Sequence, residues 1–282
     1  MLSVKVKRVA AALGVAAVAV AAQLPGGLAP ASAATCRDPG GFDKWLGDVK
    51  REAAAQGISQ RAIAASLADV SYDPGIISRD RGQRVFKQSF EEFSGRMVNK
   101  GRLSQGAAKL RQYASTLARI EKQYGVPGPV VVAIWGLETD FGAVSGKLPV
   151  IRSVATLSFD CRRTDFFTPN LFDAMRIVDR GDLTPAEMRG AWAGEMGQTQ
   201  FMPSNYWRYA VDYDGDGRRD LLHSPNDVLA STANFLAGHG WQRGQPWDEG
   251  TANYEAILQW NKAQVYARTI VLYANKLAGA AD

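Results

Sequence analysis

Residues 127–142 read PGPVVVAIWGLETDFG, and the fold turns on this stretch. After Pro127 comes Val130-Val131-Val132-Ala133-Ile134-Trp135-Gly136-Leu137, a run that is apolar on every face. A surface helix keeps one face polar, so a helix with no polar face is expected to be enclosed by protein. The run ends on Glu138-Thr139-Asp140-Phe141-Gly142. A carboxyl at the end of such a helix is costly to ionise. Desolvation raises its pKa and keeps a proton available near neutral pH, which a general acid requires. A Glu that pairs with an arginine or caps a backbone amide would fit the same position, and the helix alone leaves both readings open.

Outward from this segment, helical periodicity dominates. Between Ala107 and Tyr124, Leu110, Tyr113, Ala114, Leu117, Ile120 and Tyr124 recur at three- and four-residue steps. That spacing predicts one buried stripe, with Lys109, Arg111 and Glu121 outside it. Thr184-Pro185-Ala186-Glu187 and Ser224-Pro225-Asn226-Asp227 each join a capping hydroxyl, a proline at the first helical position and an acid in the first turn, so both predict helix starts. Alternating strand patterns are scarce. The expectation is a mainly α protein, with at most a small β element around the Asp/Gly-rich loop near residue 214.

Composition bounds the rest. Lys5, Lys7 and Arg8 precede an apolar run from Val9 to Ala22, then Pro25-Gly26-Gly27 and Ala31-Ser32-Ala33. This reads as a cleaved secretory signal over residues 1–33, too short for a membrane span. Ala33-Ala34-Thr35 lacks the pattern that lipid attachment to Cys36 needs, so no stable membrane anchor is expected. The 30 basic and 28 acidic residues beyond the signal leave a formal charge of only +2, which argues against a nucleic-acid footprint. A monomer is expected. The two cysteines, Cys36 and Cys161, both lie after the export signal, so a bridge between them is the leading reading, with two buried thiols as the alternative.

A second segment, Gly190-Ala191-Trp192-Ala193-Gly194-Glu195-Met196-Gly197-Gln198-Thr199-Gln200-Phe201-Met202-Pro203-Ser204, joins small residues to amides and aromatics. Small residues let a ligand approach the backbone, though they serve close helix packing equally well. Four motifs succeed one another: Glu-Thr-Asp-Phe-Gly, then Cys161-Arg162-Arg163-Thr164-Asp165-Phe166-Phe167, then the Gly190–Ser204 segment, then Tyr209-Ala210-Val211-Asp212 with a Gly-Asp-Gly loop. In that order they resemble the membrane-bound lytic transglycosylase B family, over nearly the whole chain from about Phe42 to Leu277.

The resemblance implies a lysozyme-like core of the goose-type or soluble lytic transglycosylase kind, with an extra helical lobe and a small β/EF-hand-like loop. The helical lobe would reach to about 120, the core would span about 121–247 and a C-terminal helical segment 248–282, all within one catalytic unit, 34–282. It implies cleavage of peptidoglycan glycan strands in the periplasm without a catalytic cofactor, with Glu138 as the single acid and base. Arg162, Arg163, Phe166, Gln200, Phe201, Phe235, Trp260 and Tyr266 match groove positions. Phe166, Phe201 and Phe235 would also suit a plain core. Ala191 stands where many relatives carry serine, and Glu195 where many carry alanine. A second carboxylate would suit a two-acid hydrolase, so a muramidase that uses water remains an alternative, as does a non-catalytic wall-binding protein.

Asp212-Tyr213-Asp214-Gly215-Asp216-Gly217-Arg218-Arg219-Asp220 has the pattern of the first half of an EF-hand loop, with Arg218 at the seventh position. Position twelve is His223 in place of the usual Glu. The resembling family closes such a loop with a later aspartate, here Asp227, and this implies a structural calcium held by Asp212, Asp214, Asp216, Arg218 and Asp227. The competing role for Asp227 is to complete the Ser224 cap.

Overall fold

Capping side chains punctuate the chain at the points where its apolar stripes begin. The computed structural model describes residues 37–83 and 88–279, so the signal at 1–33 and Cys36 lie outside the described residues. Within them a short 3-10 turn leads into α1 (Phe42–Ala55), α2 (Gln60–Leu67), α3 (Pro74–Arg81), α4 (Phe90–Met97), α5 (Lys100–Gln112), α6 (Ala114–Tyr124) and α7 (Gly128–Thr139). Then come β1 (Leu148–Pro149), α8 (Val150–Phe159), α9 (Thr164–Arg180), β2 (Arg189–Gly190), α10 (Pro203–Tyr209), α11 (Pro225–Gly238), α12 (Ala252–Trp260) and α13 (Gln264–Ala278). Ser59, Asn99, Ser224 and Thr251 each accept a backbone N–H at a helix start. Ser89 and Glu92 form a reciprocal capping box at α4.

The all-apolar helix is α7, and it runs through the middle of the molecule. It packs against α5, α6, α11 and α13, and Val130 through Thr139 are all buried. With neighbours on several sides, no face of α7 meets water, and this is why its sequence shows no polar stripe. Around this spine α8 and α9 pack side by side, α10 lies on α9, and α2 and α3 cover α9 and α8. One continuous apolar core runs from Phe42 to Leu277.

Three local expectations change. The stripe from Ala107 to Tyr124 is two helices, because the chain bends at Tyr113 between α5 and α6. The Tyr113 ring packs edge-on against Trp135 at 5.7 Å, and this contact with the spine overrides local helix propensity. Thr184 and Glu187 form their reciprocal cap, with the Thr184 N–H donating to Glu187 at 2.7 Å, yet the turn stops there and the chain enters β2. The β element is likewise displaced from the Asp/Gly loop: Leu148 pairs with Gly190 and Pro149 with Arg189, antiparallel.

Candidate active site

Glu138 occupies the last turn of α7 and is 6 % exposed. Its Oε1 accepts two hydrogen bonds of 2.8 Å, one from Trp260 Nε1 at the end of α12 and one from the Tyr266 hydroxyl on α13. Its Oε2 is buried without a partner. Burial pushes the carboxyl up to about 7; the Trp260 and Tyr266 bonds pull it down and the Glu195 charge adds to the rise. The Tyr266 hydroxyl is pushed up, by burial first and by the neighbouring carboxyl second, so it stays a donor.

The chain leaves α7 abruptly. Asp140 and Phe141 take left-handed backbone angles, φ 50° and 60°, and the Asp140 carboxylate is held by Arg102 Nε at 2.6 Å. Trp135 Nε1 donates to Gln198 Oε1 at 2.9 Å, tying the spine to the 190–201 segment. That segment is a tight double turn. The Ala191 N–H donates to the Glu195 carbonyl at 2.7 Å, while Met196 and Phe201 exchange bonds of 2.9 and 2.8 Å. Gly190 makes the turn possible, since a Cβ there would lie 2.0 Å from the Glu195 carbonyl oxygen.

Between these elements lies a cleft of about 540 Å³. Glu138, Arg162, Arg163, Phe166, Gln200, Phe201, Phe235 and Trp260 all line it, so the structure brings the expected groove residues together. Tyr266 lies behind Glu138, as its donor. Phe166 stands 46 % exposed on the rim, a free apolar face. Phe201 and Phe235 are buried to 2 % and pack edge-to-face with Trp260 at 5.2 and 4.9 Å, so they are both core and wall. Gln200 bonds its own turn, Nε2 to the Gly197 carbonyl at 2.9 Å.

Both arginines are anchored on Asp80 at the end of α3, a residue 1 % exposed. Arg162 Nε donates to Asp80 Oδ2 at 2.6 Å, and the Arg163 guanidinium donates to Oδ1. Asp80 is a site residue that sequence reasoning misses; a lone Asp in an ordinary helix carries no signal for partners 82 and 83 residues away. Glu195 also lines the cleft. It is 5 % exposed, and burial pushes its carboxyl up to about 7, opposed by its own and the Ala193 backbone N–H groups and by Arg163.

The Asp/Gly loop lies apart. Carboxylate oxygens of Asp212, Asp214 and Asp227 fall within 4.8 Å of one another. Asp216 is outside this cluster, with Oδ1 accepting the Arg218 N–H at 2.8 Å, and the Arg218 side chain turns away to the Asp182 carbonyl. Asp227 is fully buried and accepts the N–H groups of Tyr213 and Asp220 at 2.8 Å each. Ser224 caps α11 through the Asp227 N–H, so the Asp227 carboxylate is left to gather the loop.

Residues 41–251 match the family described as the transglycosylase SLT domain. The chain is 37 % identical over 150 residues to membrane-bound lytic murein transglycosylase B of Escherichia coli (strain K12), a match covering 53 % of this chain and 41 % of that relative. SltB3 from Pseudomonas aeruginosa, solved in complex with NAG-anhNAM-pentapeptide, superposes with TM-score 0.79 at 32 % identity, covering 84 % of this chain and 80 % of that one. Soluble lytic transglycosylase SltB1 from Pseudomonas aeruginosa gives TM-score 0.78 at 26 % identity, covering 84 % of this chain and 99 % of that one. These likenesses bear out the mainly helical, lysozyme-like fold class. With its buried acid, lined cleft and matching core, the chain belongs to the transglycosylase SLT domain family.

Proposed function

We propose that this chain is a lytic transglycosylase that cleaves the β-1,4 bond from N-acetylmuramic acid to N-acetylglucosamine in peptidoglycan, leaving 1,6-anhydro muramic ends. The observation that carries the reading is Glu138: a buried carboxyl raised to about 7, fixed through one oxygen and placed on the wall of a cleft of about 540 Å³. Protonated Glu138 donates to the glycosidic oxygen while positive charge develops at the anomeric carbon. The substrate's N-acetyl group stabilises that charge. Ionised Glu138 then takes the proton of the C6 hydroxyl, whose oxygen attacks C1, so the proton given is recovered and no water is consumed. Trp260 and Tyr266 hold the carboxyl in one orientation for both transfers. The SltB3 complex with a NAG-anhNAM-pentapeptide, which contains an anhydro muramic residue, supports this product class.

Mass spectrometry of sacculi digested by the protein tests the proposal. Muropeptides lighter by one water are expected, and Glu138→Gln is expected to abolish them while still binding glycan. Reducing muramic ends would instead establish a muramidase, a reading that Glu195 favours as a second buried carboxyl in the same cleft. Binding without any cleavage by the parent chain would reduce it to a wall-binding protein.

The same reading assigns an exported, monomeric catalytic unit, 34–282, without a membrane anchor. Among the described residues no helix is long and apolar enough to cross a membrane. Export to the periplasm rests on the sequence of residues 1–33, and it places Cys36 and Cys161 where a bridge is stable. An intact mass two daltons below the reduced chain is the expected signature of that bridge. The loop is assigned a structural calcium. Three hard oxygen donors converge at Asp212, Asp214 and Asp227, and that donor chemistry fits the ion. Asp216 and Arg218 would join only through a rearrangement of their present bonds.

A further inference from the structure

Glu195 has no part in the proton transfers made by Glu138, yet it is a buried acid on the wall of the same cleft. Each of the two carboxyls has an Oε2 that is buried and without a partner. Nothing in the turn calls for a charge at 195. The ring of the turn closes through the Glu195 backbone carbonyl, not its side chain, and an amide could accept the local N–H bonds as well as a carboxylate does.

We propose that Glu195 is a positioning residue for the glycan cleavage: seated in the same dry cleft, its carboxylate opposes ionisation of Glu138 and so keeps the donor's proton in place until the glycosidic oxygen takes it. This rests on the reading of Glu138 as the acid. Two like charges in one low-dielectric space cannot form independently, so the pair loses its protons in sequence. At Glu195 the Arg163 cation opposes the rise that burial causes. Glu138 has only neutral donors, Trp260 from α12 and Tyr266 from α13. A charge on Glu195 falls on Glu138, where it adds to the rise that burial causes.

Other charged groups meet this pair from every side. Arg162 and Arg163 come from the loop before α9 and Asp165 from its first turn, while Lys262 comes from the link between α12 and α13. The two arginines are already engaged by Asp80. Arg102, beneath Tyr266, is engaged by Asp140.

The test is Glu195→Gln, which keeps shape and hydrogen bonding and deletes the charge, with Glu195→Asp as the variant that restores it. Glycan cleavage is measured from pH 5 to 9, with kcat and KM separated. In Glu195→Gln the alkaline limb of kcat/KM is expected to move to lower pH, so that the rate at pH 8 relative to pH 5.5 drops about threefold or more, while KM changes little. Glu195→Asp is expected to return the limb toward the parent's. A second readout needs no turnover: carbon-13 NMR titration of glutamate-labelled protein, the Glu138 carboxyl being the resonance lost in Glu138→Gln. Its midpoint is expected to fall in Glu195→Gln. An unchanged Glu138 midpoint, or a rate lowered by the same factor at every pH, would overturn the proposal. A parent chain with no cleavage would sink the activity reading alone, since the titration still decides the role of Glu195. Should Glu195→Gln not fold, Glu195→Ala enters the same titration.

Discussion

Glu138 is held by two neutral donors, Trp260 Nε1 and the Tyr266 hydroxyl, and neither can neutralise a negative charge. Its raised pKa therefore has a consequence for stability as well as for catalysis. A carboxyl that moves from 4.5 when unfolded to about 7 when folded binds more protons in the native state between those values. Stability consequently falls as pH rises through that window and levels off above it, by on the order of 3 kcal/mol for such a shift. Glu138→Gln escapes this loss. Thermal melts are expected to show the variant close to the parent near pH 4.5 and distinctly more stable at pH 8; equal melting at pH 8 would mean that the carboxyl is solvated. Catalysis has the opposite bound, since donation needs the proton, and kcat/KM is expected to fall above about pH 7. The buried acid is legible in the sequence because the run before it has no polar face. What holds the acid is not: Trp260 and Tyr266 lie 122 and 128 residues away, and only a family resemblance marks them, as groove residues and not as donors.

At the scale of elements, the 190–201 turn is the least forgiving part of the site. A methyl at Gly190 would sit 2.0 Å from the Glu195 carbonyl oxygen, with backbone on one side and Val150 on the other. Gly190→Ala must open the ring that orients Glu195 and Gln200. A loss of roughly 1–3 kcal/mol in denaturant unfolding is expected, together with reduced cleavage, and a fully stable variant would show that the turn is loose. The glycines of this segment are legible as small residues but ambiguous in purpose, since close packing and ligand approach ask for the same thing. The break between α5 and α6 is illegible for another reason: no proline or capping residue marks Tyr113, and the bend comes from its ring meeting Trp135. The single turn at Thr184 shows the converse. Its capping chemistry forms as the residues dictate, but the next stretch of chain is pulled into pairing with Leu148 and Pro149.

For the whole molecule, the acidic loop and the cleft are separate stabilising problems. If calcium gathers Asp212, Asp214 and Asp227, the ion is expected to raise the melting temperature of the parent, by about 2.7 kcal/mol equivalent at a hundredfold excess over Kd, and to leave Asp227→Asn unmoved. No calcium-dependent shift in the parent would end that assignment. Fold class is legible at this scale because helix periodicity and ordered motifs persist along the chain, whereas the convergence of α7, α9, the 190–201 turn, α11 and α12 on one cleft is a product of tertiary packing. The family match ends at residue 251, yet both groups that bond Glu138 lie beyond it, on the last two helices. During synthesis these helices leave the ribosome after every other described element. A nascent chain complete to residue 250 would already carry the spine, the turn and most of the cleft wall, but its carboxyl would have nothing to aim it. Such a carboxyl is armed only once α12 and α13 have folded against it, so a copy that stops before them would hold the acid without the two donors that orient it.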